Sequence, residues 1–263
     1  MILKFYKYQA VGNDFIMIDN RNLNFDSNNN ILIEKLCNRR FGIGADGLIL
    51  INNSDRFDFN MQYFNSDGYE GSMCGNGGRC SIAFASFLNI IKEKTVFNAI
   101  DGIHEGLIIS SKNNDSLVKI KMKDVDEIKK IDDDYFINTG SPHYIRYVEN
   151  IDKYDVFNIG KNLQKSEIFE NKGSNINFVE KFGDKLKVRT YERGVEDETL
   201  SCGTGSVASA IYANKTNLIN SNSIDIIMPG GELNITFEIN NNLYHNVWLK
   251  GLATQVFYGE LTI

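Results

Sequence analysis

Two stretches of the chain, 128 residues apart, carry the same spaced pattern of residues. Tyr63 precedes Cys74 by 11 positions, Tyr191 precedes Cys202 by 11 positions, and each cysteine opens a Cys-Gly-x-Gly motif. The same offset relates two further pairs of segments: 12–15 with 140–143, and 101–102 with 229–230. One offset that serves three separated matches indicates an internal duplication, so we expect two domains of similar fold.

Each half has strand patterns around one helix that follows its Cys-Gly-x-Gly motif. The strands predicted in the first half are 48–51, 57–64, 95–99, 103–110 and 117–122, and those in the second half are 175–180, 186–192, 223–227, 232–238 and 242–249. The helices predicted after the motifs are 76–88 and 204–213, and shorter helices precede them at 31–39 and 156–164. The predicted fold class is α+β, with two pseudo-symmetric domains, each a mainly antiparallel curved sheet or barrel around a central helix.

The domain limits follow from the repeat. We predict a first domain at residues 1–125 and a second at 126–253. The last strand pattern, 254–263, has no counterpart in the repeat, so we expect it to return and complete the first domain. A chain of 263 residues accommodates two hydrophobic cores of this size.

Composition and charge exclude several classes of function. The net charge is −6 and the basic residues are scattered singly, which is unlike a nucleic-acid-binding surface. No stretch approaches the roughly 18 continuous apolar residues that a membrane span requires. The N-terminus lacks the apolar run and cleavage site of a signal peptide, so we expect a cytoplasmic protein whose partner is a small molecule.

The four cysteines are expected to be reduced thiols, since the chain is long and predicted to be cytoplasmic. They form no Cys-x-x-Cys pair, and the three histidines lie far apart in sequence, so no metal site is predicted. No cofactor is called for by these residues. Cys37 and Cys80 are predicted to be core residues, which leaves Cys74 and Cys202 to be explained by chemistry.

A cysteine at the entrance of a helix lies beside unpaired N–H groups and the positive end of the helix dipole, which favours the thiolate. A single cysteine of this kind is more often a small core residue. Two such cysteines related by a repeat favour a catalytic role over a core role, because pseudo-twofold halves would aim both sulfurs at one substrate carbon. Cys74 and Cys202 would then remove a proton from one face and return one to the other. A hydrolase would instead need one nucleophile with an orienting histidine and an oxyanion hole.

Several segments together are similar to those of one known family. They are Gly12-Asn13-Asp14-Phe15, Phe41-Gly42-Ile43-Gly44-Ala45-Asp46-Gly47, Phe64-Asn65-Ser66-Asp67-Gly68, Cys74-Gly75-Asn76-Gly77-Gly78-Arg79-Cys80, Tyr191-Glu192-Arg193-Gly194 and Cys202-Gly203-Thr204-Gly205. In order and spacing they resemble the diaminopimelate epimerases, and the resemblance runs through most of the chain.

The resemblance implies an isomerase independent of pyridoxal phosphate (PLP), a cytoplasmic homodimer that interconverts LL- and meso-diaminopimelate in lysine and peptidoglycan precursor synthesis. Cys74 and Cys202 match the two catalytic positions. The positions implied to bind substrate fall into three groups: Gly75, Asn76, Gly203 and Thr204 for the reacting carboxylate; Asn13, Asn65, Asn175 and Arg193 for the distal amino-acid end; and Glu192 and His143 near the reacting centre. The chain departs from the family at two positions, Gly47 where some members have Gln and Ser141 where some have Asn, so the resemblance implies no Gln or Asn side-chain contact there.

Other interpretations stay open at this point. Asn13 and Asn65 lie in strong turn signals, and an arginine such as Arg193 commonly forms a surface ion pair. A proline or hydroxyproline racemase shares the two-cysteine logic but usually has His where this chain has Asn76. A phenazine-biosynthesis-like isomerase has a similar fold without the paired thiols. A binding protein without activity is the alternative from a different class, which two intact cysteines disfavour.

Overall fold

The computed structural model describes residues 2–169, 173–241 and 243–263. The chain divides into two compact units, each described here by itself. Unit 1 consists of Met1–Ile120 and Gly251–Ile263, and unit 2 of Lys121–Lys250. Among the helices in the described ranges, none combines the length and hydropathy that a membrane span needs.

Unit 1 begins with a strand that the sequence analysis did not assign. Its elements are β1 (Ile2–Ala10), β2 (Asn13–Asp19), α1 (Asn30–Cys37), β3 (Gly47–Asn52), β4 (Phe59–Asn65), β5 (Glu70–Gly71), α2 (Gly75–Phe87), β6 (Lys94–Ala99), β7 (Gly102–Lys112) and β8 (Asp115–Lys121). The lysines of β1 interrupt its run of apolar residues, so the sequence did not predict a strand there. Lys7 is buried because its ammonium pairs with the Asp14 carboxylate at 2.8 Å and donates to the Gly44 carbonyl.

Unit 2 repeats this order of elements. They are β9 (Ile128–Ile131), β10 (Asp134–Asn138), β11 (Pro142–Tyr147), α3 (Val156–Gln164), β12 (Asn175–Phe182), β13 (Lys185–Glu192), β14 (Asp197–Thr199), α4 (Gly203–Lys215), β15 (Ser223–Met228), β16 (Gly231–Asn240) and β17 (Leu243–Thr262), with short 3-10 turns at Ile151–Lys153 and Glu167–Phe169. The strand β17 begins in unit 2 and ends in unit 1. The strands predicted at 242–249 and 254–263 are thus parts of one continuous strand, and only the predicted break between them is wrong; residue 242 lies outside the described residues.

The sheet of unit 1 closes on itself. Around it, β1 pairs with β2, β2 with β3, β3 with β4, β4 with β6, β6 with β7 and β7 with β8. The end of β17 pairs with both β8 and β1 and completes the ring. Only the β2–β3 and β4–β6 pairs are parallel. Helix α2 is surrounded by this barrel, since every residue from 75 to 85 is buried.

Unit 2 follows the same pairing rules. Its parallel pairs are β11–β12 and β13–β15, which correspond to β2–β3 and β4–β6 of unit 1. The register is also repeated, since Phe15 opposite Gly47 becomes His143 opposite Asn175 at the offset of 128. Adding 128 to the bounds of α2 gives the bounds of α4. The predicted fold class, α+β with two similar domains around central helices, is confirmed.

Candidate active site

Cys74 is the N-cap residue of α2, at the open end of the central helix of unit 1. Its backbone is extended, with φ −100° and ψ 150°, and its Sγ accepts a hydrogen bond from the Gly77 N–H at 3.2 Å. The sulfur thus takes the place of the Ser or Asp oxygen in an ordinary helix cap. A negative sulfur is favoured there, because the nearby backbone N–H groups point toward it.

Cys202 has the equivalent position at the start of α4 in unit 2. Its backbone is also extended, with φ −130° and ψ 112°, and the residue is 5% exposed. Its Sγ lies 3.6 Å from the hydroxyl oxygen of Thr204. The two predicted catalytic residues therefore stand at equivalent helix starts, each followed by a glycine that is the first helical residue.

The second glycine of each motif leaves room for the sulfur. A Cβ added to Gly77 would lie 3.3 Å from Cys74 Sγ, and a Cβ added to Gly205 would lie 3.3 Å from Cys202 Sγ. A Cβ at either place would require the sulfur to move by a few tenths of an ångström. The second glycine of Cys-Gly-x-Gly therefore favours this position of the sulfur, beyond the turn that glycine permits.

Asn13 and Asn76 lie together beside Cys74. The Oδ1 of Asn13 accepts a hydrogen bond from Asn76 Nδ2 at 3.3 Å and lies 4.0 Å from the sulfur. The Nδ2 of Asn13 donates to Asp46 Oδ2 at 2.7 Å. Asp46 was not singled out from the sequence, although it lies in one of the quoted segments; it fixes which face of the Asn13 amide points toward Cys74.

A network of ion pairs supports this arrangement from behind. Arg39 donates to Asp14 at 2.9 and 2.6 Å and to Asp46 at 2.6 Å, and Lys7 pairs with Asp14 on the other side. Burial alone would raise the pKa of Asp14, but hydrogen bonds from Arg39 and Lys7 bring that pKa well below its ordinary value. Asp14 is thus held ionised, and the hydrogen bonds fix both carboxylates in position.

Asn65 is at the end of β4, where its residue is exposed. Its Oδ1 accepts a hydrogen bond from the Tyr63 hydroxyl at 2.9 Å, and its carbonyl accepts from the Gly68 N–H in a tight turn. Asn65 therefore serves as a turn residue in the structure. Its role in reading a substrate stays a prediction.

In unit 2, Asn175 supports the end of strand β13. Its Oδ1 accepts from the backbone N–H of Arg193 at 2.9 Å, and its Nδ2 donates to the Ser141 hydroxyl at 3.0 Å and to the Pro142 carbonyl at 3.1 Å. Arg193 itself is exposed, and the half-buried Glu192 accepts a hydrogen bond from the Thr199 hydroxyl at 2.9 Å. Ser141, noted above as a departure from the family's sequence, thus accepts a hydrogen bond from Asn175, which is a predicted site residue.

His143 is fully buried beneath the start of α4. Its Nδ1 is 3.1 Å from Asn177 Nδ2, and Asn177 Oδ1 accepts from the Thr190 hydroxyl at 3.0 Å. Burial lowers the pKa of His143 to about 3, so the ring is neutral at physiological pH. Sequence reasoning missed Asn177 and Thr190; the only signal was a polar residue in each strand at a position that alternates with inward-facing apolar ones. Within the part of the chain that the structure describes, no group of His, Cys, Asp or Glu side chains is arranged to hold a metal ion.

Comparison with known proteins identifies the family. The model of the family described as diaminopimelate epimerase matches residues 5–126 and 135–253. The chain is 52% identical over 262 residues to the diaminopimelate epimerase of Flavobacterium psychrophilum, with 99% of this chain and 100% of that protein covered. The chain belongs to the diaminopimelate epimerase family. It is accordingly an isomerase of the epimerase class, as the sequence analysis predicted.

Solved structures of more distant proteins share the fold. A phenazine biosynthesis protein of the PhzF family from Bacillus anthracis has a TM-score of 0.78 at 17% identity, and each chain is fully covered. A hydroxyproline epimerase from Agrobacterium vitis, solved with trans-4-hydroxy-L-proline, has a TM-score of 0.72 at 12% identity, covering 99% of this chain and 92% of that one. At these identities the likeness is one of fold.

Proposed function

We propose that this family member interconverts LL- and meso-diaminopimelate by direct proton transfer at one α-carbon, with Cys74 and Cys202 as the two acid/base groups. The observation that carries the proposal is that both cysteines occupy the N-cap position of equivalent helices and have equivalent glycines three residues later. Neither PLP nor a metal takes part in the proposed step. The product would serve lysine and peptidoglycan precursor synthesis, which the family name supports.

In the proposed step, one cysteine acts as thiolate and takes the α-proton, and the electron pair left on carbon spreads into the substrate carboxylate. The other cysteine, as thiol, returns its proton to the opposite face, so atoms and charge balance. The backbone N–H groups of Gly75, Asn76, Gly203 and Thr204 would hold that carboxylate. One helix end contributes only about 0.3 to 2 kcal/mol, so fixed donors in a dry site must stabilise the rest of the developing charge.

The other predicted residues are proposed to hold the remainder of the substrate. Asn13, Asn65, Asn175 and Arg193 would read the distal amino-acid end, Glu192 the ammonium beside the reacting carbon, and His143 would line the same region. Arg193 carries an exposed guanidinium that suits bidentate binding of a second carboxylate. His143 is buried and neutral, and we propose that it acts through the neighbouring Asn177.

Location and assembly are proposed on physical grounds. The mechanism requires both thiols reduced, a condition that the cytoplasm maintains. Partly exposed apolar residues at the end of β17, namely Val256, Phe257, Tyr258 and Leu261, suit the face of a homodimer. We further propose that residues 1–125 with 254–263, and 126–253, are the two duplicated domains. Sedimentation of the purified protein measures the oligomeric state directly.

The function is tested by incubating pure protein with LL-diaminopimelate in D2O without PLP. We expect meso product that carries one deuterium at the inverted α-carbon, because the acid that returns the proton exchanges with solvent. Proline and hydroxyproline serve as comparison substrates. Inversion of proline alone would transfer the protein to the other racemase class, and loss of activity on removal of metal ions would argue against a two-thiol mechanism.

A further inference from the structure

Arg79 is a fully buried arginine on helix α2, one turn beyond Cys74. Its Nη1 donates to the Gly75 carbonyl at 3.1 Å and its Nη2 to Asn76 Oδ1 at 2.9 Å. Its Nε has no hydrogen-bond partner among the described residues. The guanidinium thus points back to the start of the helix, although the helix dipole itself disfavours a cation there.

No carboxylate within the described residues forms an ion pair with Arg79, so its charge is not offset by a salt bridge. Burial lowers the pKa of Arg79 to about 10, which leaves it positively charged at neutral pH. An unpaired charge in the interior is costly and is retained only where something else compensates it. The ionisable groups that act electrostatically on Arg79 are Cys74 and Cys80.

Cys80 is a poor source of the missing negative charge. It is fully buried, and burial raises the pKa of its thiol far above the ordinary range, so it stays protonated. Cys74 is half-buried and caps the helix. It is therefore the thiol that can ionise beside the guanidinium.

A chain of hydrogen bonds links the guanidinium to the sulfur. Arg79 donates to the Oδ1 of Asn76, Asn76 Nδ2 donates to the Oδ1 of Asn13, and that oxygen accepts from the Cys74 thiol, whose Sγ lies 4.0 Å away. A cation that withdraws charge from the Asn76 amide strengthens its N–H as a donor, which draws charge from Asn13 Oδ1 and weakens that oxygen as an acceptor for the thiol proton. The same bonds fix both amides relative to the sulfur.

Other charged groups packed around α2 are neutral or already have partners. Asp14 on β2 pairs with Arg39 and Lys7, although its charge still helps to raise the pKa of the Cys80 thiol. Burial raises the pKa of Tyr8 on β1 far above the ordinary range, so it is neutral. Asp101, before β7, accepts from the Met73 N–H at 3.3 Å and lies 3.3 Å from His104; its carboxylate, like that of Asp14, opposes a thiolate at position 74.

The equivalent helix of unit 2 lacks this cation. Adding 128 to 79 gives Val207, which is fully buried and apolar. The buried polar groups beneath Cys202 are His143, Asn177 and Thr190, and burial keeps His143 neutral. The Arg193 guanidinium also acts electrostatically on His143, but Arg193 is exposed and its charge is screened by water, unlike that of the buried Arg79. The two thiols therefore have equivalent backbones and unequal electrostatic surroundings.

We propose that Arg79 is a positioning residue that makes Cys74 the more acidic of the two site thiols, by placing an uncompensated positive charge behind it and by holding Asn76 and Asn13. The proposal about Arg79 depends on the proposed function only for the role that an acidic Cys74 would have in catalysis. The acidity of a thiol is measured without substrate, so failure of the epimerase assay and failure of this proposal are distinguishable.

The test is alkylation of the reduced protein by iodoacetamide at a series of pH values, with the modified peptides quantified by mass spectrometry. Because only the thiolate reacts, the rate at each cysteine follows its ionisation. We expect Cys74 to reach half-maximal rate at a pH at least about one unit below Cys202, which corresponds to about a tenfold difference in ionisation at neutral pH. Equal midpoints, or a lower midpoint at Cys202, would overturn the proposal without any variant.

The variant Arg79→Met removes the charge and keeps a long side chain, and Val207→Met is the matched control at the equivalent position. Arg79→Met should slow alkylation of Cys74 at pH 7 by about tenfold and leave Cys202 unchanged, and Val207→Met should leave Cys74 unchanged. Arg79→Lys, which keeps the charge, should recover most of the rate. Unchanged reactivity of Cys74 in folded Arg79→Met, or equal slowing in Arg79→Met and Arg79→Lys, would overturn it. If Arg79→Met does not fold, the parent and Arg79→Lys titrations decide.

Discussion

The starts of α2 and α4 have nearly the same backbone and different interiors. Both place a cysteine at the N-cap and a glycine three residues later. Behind Cys74 lies a buried arginine, and the strand positions that correspond to His143 and Asn177 are the apolar Phe15 and Ile49. Behind Cys202 the helix has Val207 and the strands carry the polar groups. The repeat has thus kept the position of the sulfurs and changed what surrounds them, as suits two groups that are proposed to act on one substrate carbon from opposite protonation states.

The largest effect on activity is expected when either the Cys74 or the Cys202 thiol is removed. Replacing Cys74 or Cys202 by alanine should each lower the rate of LL-to-meso conversion by at least about 10² to 10⁴, since each variant lacks one of two required proton-transfer groups. Cys37→Ala, in which a buried core thiol is removed, is the control and should leave turnover unchanged.

Deuterium exchange sharpens this test. A variant with one cysteine can still remove the α-proton of the epimer that faces its remaining thiol and return deuterium to the same face. The two alanine variants should therefore exchange different epimers, as measured by mass spectrometry of recovered substrate. Full epimerisation by either variant contradicts the two-base mechanism.

The second test concerns the two motif glycines. A Cβ at Gly205 would lie 2.5 Å from Asn177 Oδ1, an atom held by the Thr190 hydroxyl inside the core. A Cβ at Gly77 would meet only the ends of the flexible side chains Ile49 and Met61 and the Cys74 sulfur, at 3.2 to 3.5 Å.

Gly205→Ala should therefore lower the free energy of unfolding by about 1 to 3 kcal/mol through overpacking. In Gly77→Ala a milder contact is opposed by the roughly 1 kcal/mol that alanine gains over glycine in a helix, so its stability should change little. Urea denaturation of the two variants gives the comparison. A larger loss in Gly77→Ala would mean that the polar network under α4 is not rigid.

The repeat and the central helices could be predicted from the sequence because their signals are local. The helix predicted at 76–88 is Gly75–Phe87 in the structure, and the helix predicted at 156–164 is Val156–Gln164. Strand β1 was missed because the reason for its buried Lys7 lies in Asp14, on the next strand. The continuity of β17 was missed because its two ends pair within different units, which a pattern along one segment does not encode.

The sequence predicted the residues proposed for the site but not the side chains that support them. Cys74, Asn13 and Asn76 have recognisable motifs, and the structure brings these three together. Asp46 also lies in one of those motifs, yet its role depends on a contact with Asn13, 33 positions away. Arg79 contacts Gly75 and Asn76 within its own motif, but that spacing does not predict its burial. A buried arginine without a carboxylate is visible only once the helix is seen inside its barrel.

A third prediction concerns pH and the polar network of unit 2. His143 stays neutral in the folded protein down to a pKa of about 3, whereas in the unfolded chain it takes up a proton below about pH 6.5. The unfolded state therefore binds more protons between these values, and the free energy of unfolding falls as the pH falls. At pH 5 the loss due to this group is about 2 kcal/mol relative to pH 8.

The variant His143→Gln retains an acceptor for Asn177 and does not titrate, so it should lack this part of the pH dependence. Urea denaturation of both proteins at pH 8, 6 and 5 measures the difference. Ionisation of Asp14, whose pKa is lowered, affects stability only at more acidic pH and does not interfere. The same pH dependence in both proteins would contradict a neutral buried histidine.

The smallest expected effect is the loss of stability when the N-cap residue of α1 or of α3, the short helix of each unit, is replaced by alanine. Asn29 caps α1 by accepting from the Leu32 N–H at 3.0 Å, and Asp155 caps α3 by accepting from the Asn158 N–H at 3.1 Å. Asn29→Ala should lower the free energy of unfolding by about 1 kcal/mol at any pH, since the amide does not ionise.

Asp155→Ala should lower the thermal midpoint fully only above about pH 4. The side-chain and backbone hydrogen bonds with Asn158 lower the pKa of Asp155, and the cap weakens as the pH falls through that pKa. Thermal unfolding of both variants at pH 7 and pH 3 makes the comparison. A pH-independent effect at Asp155 would mean that the ionised form contributes nothing to the cap.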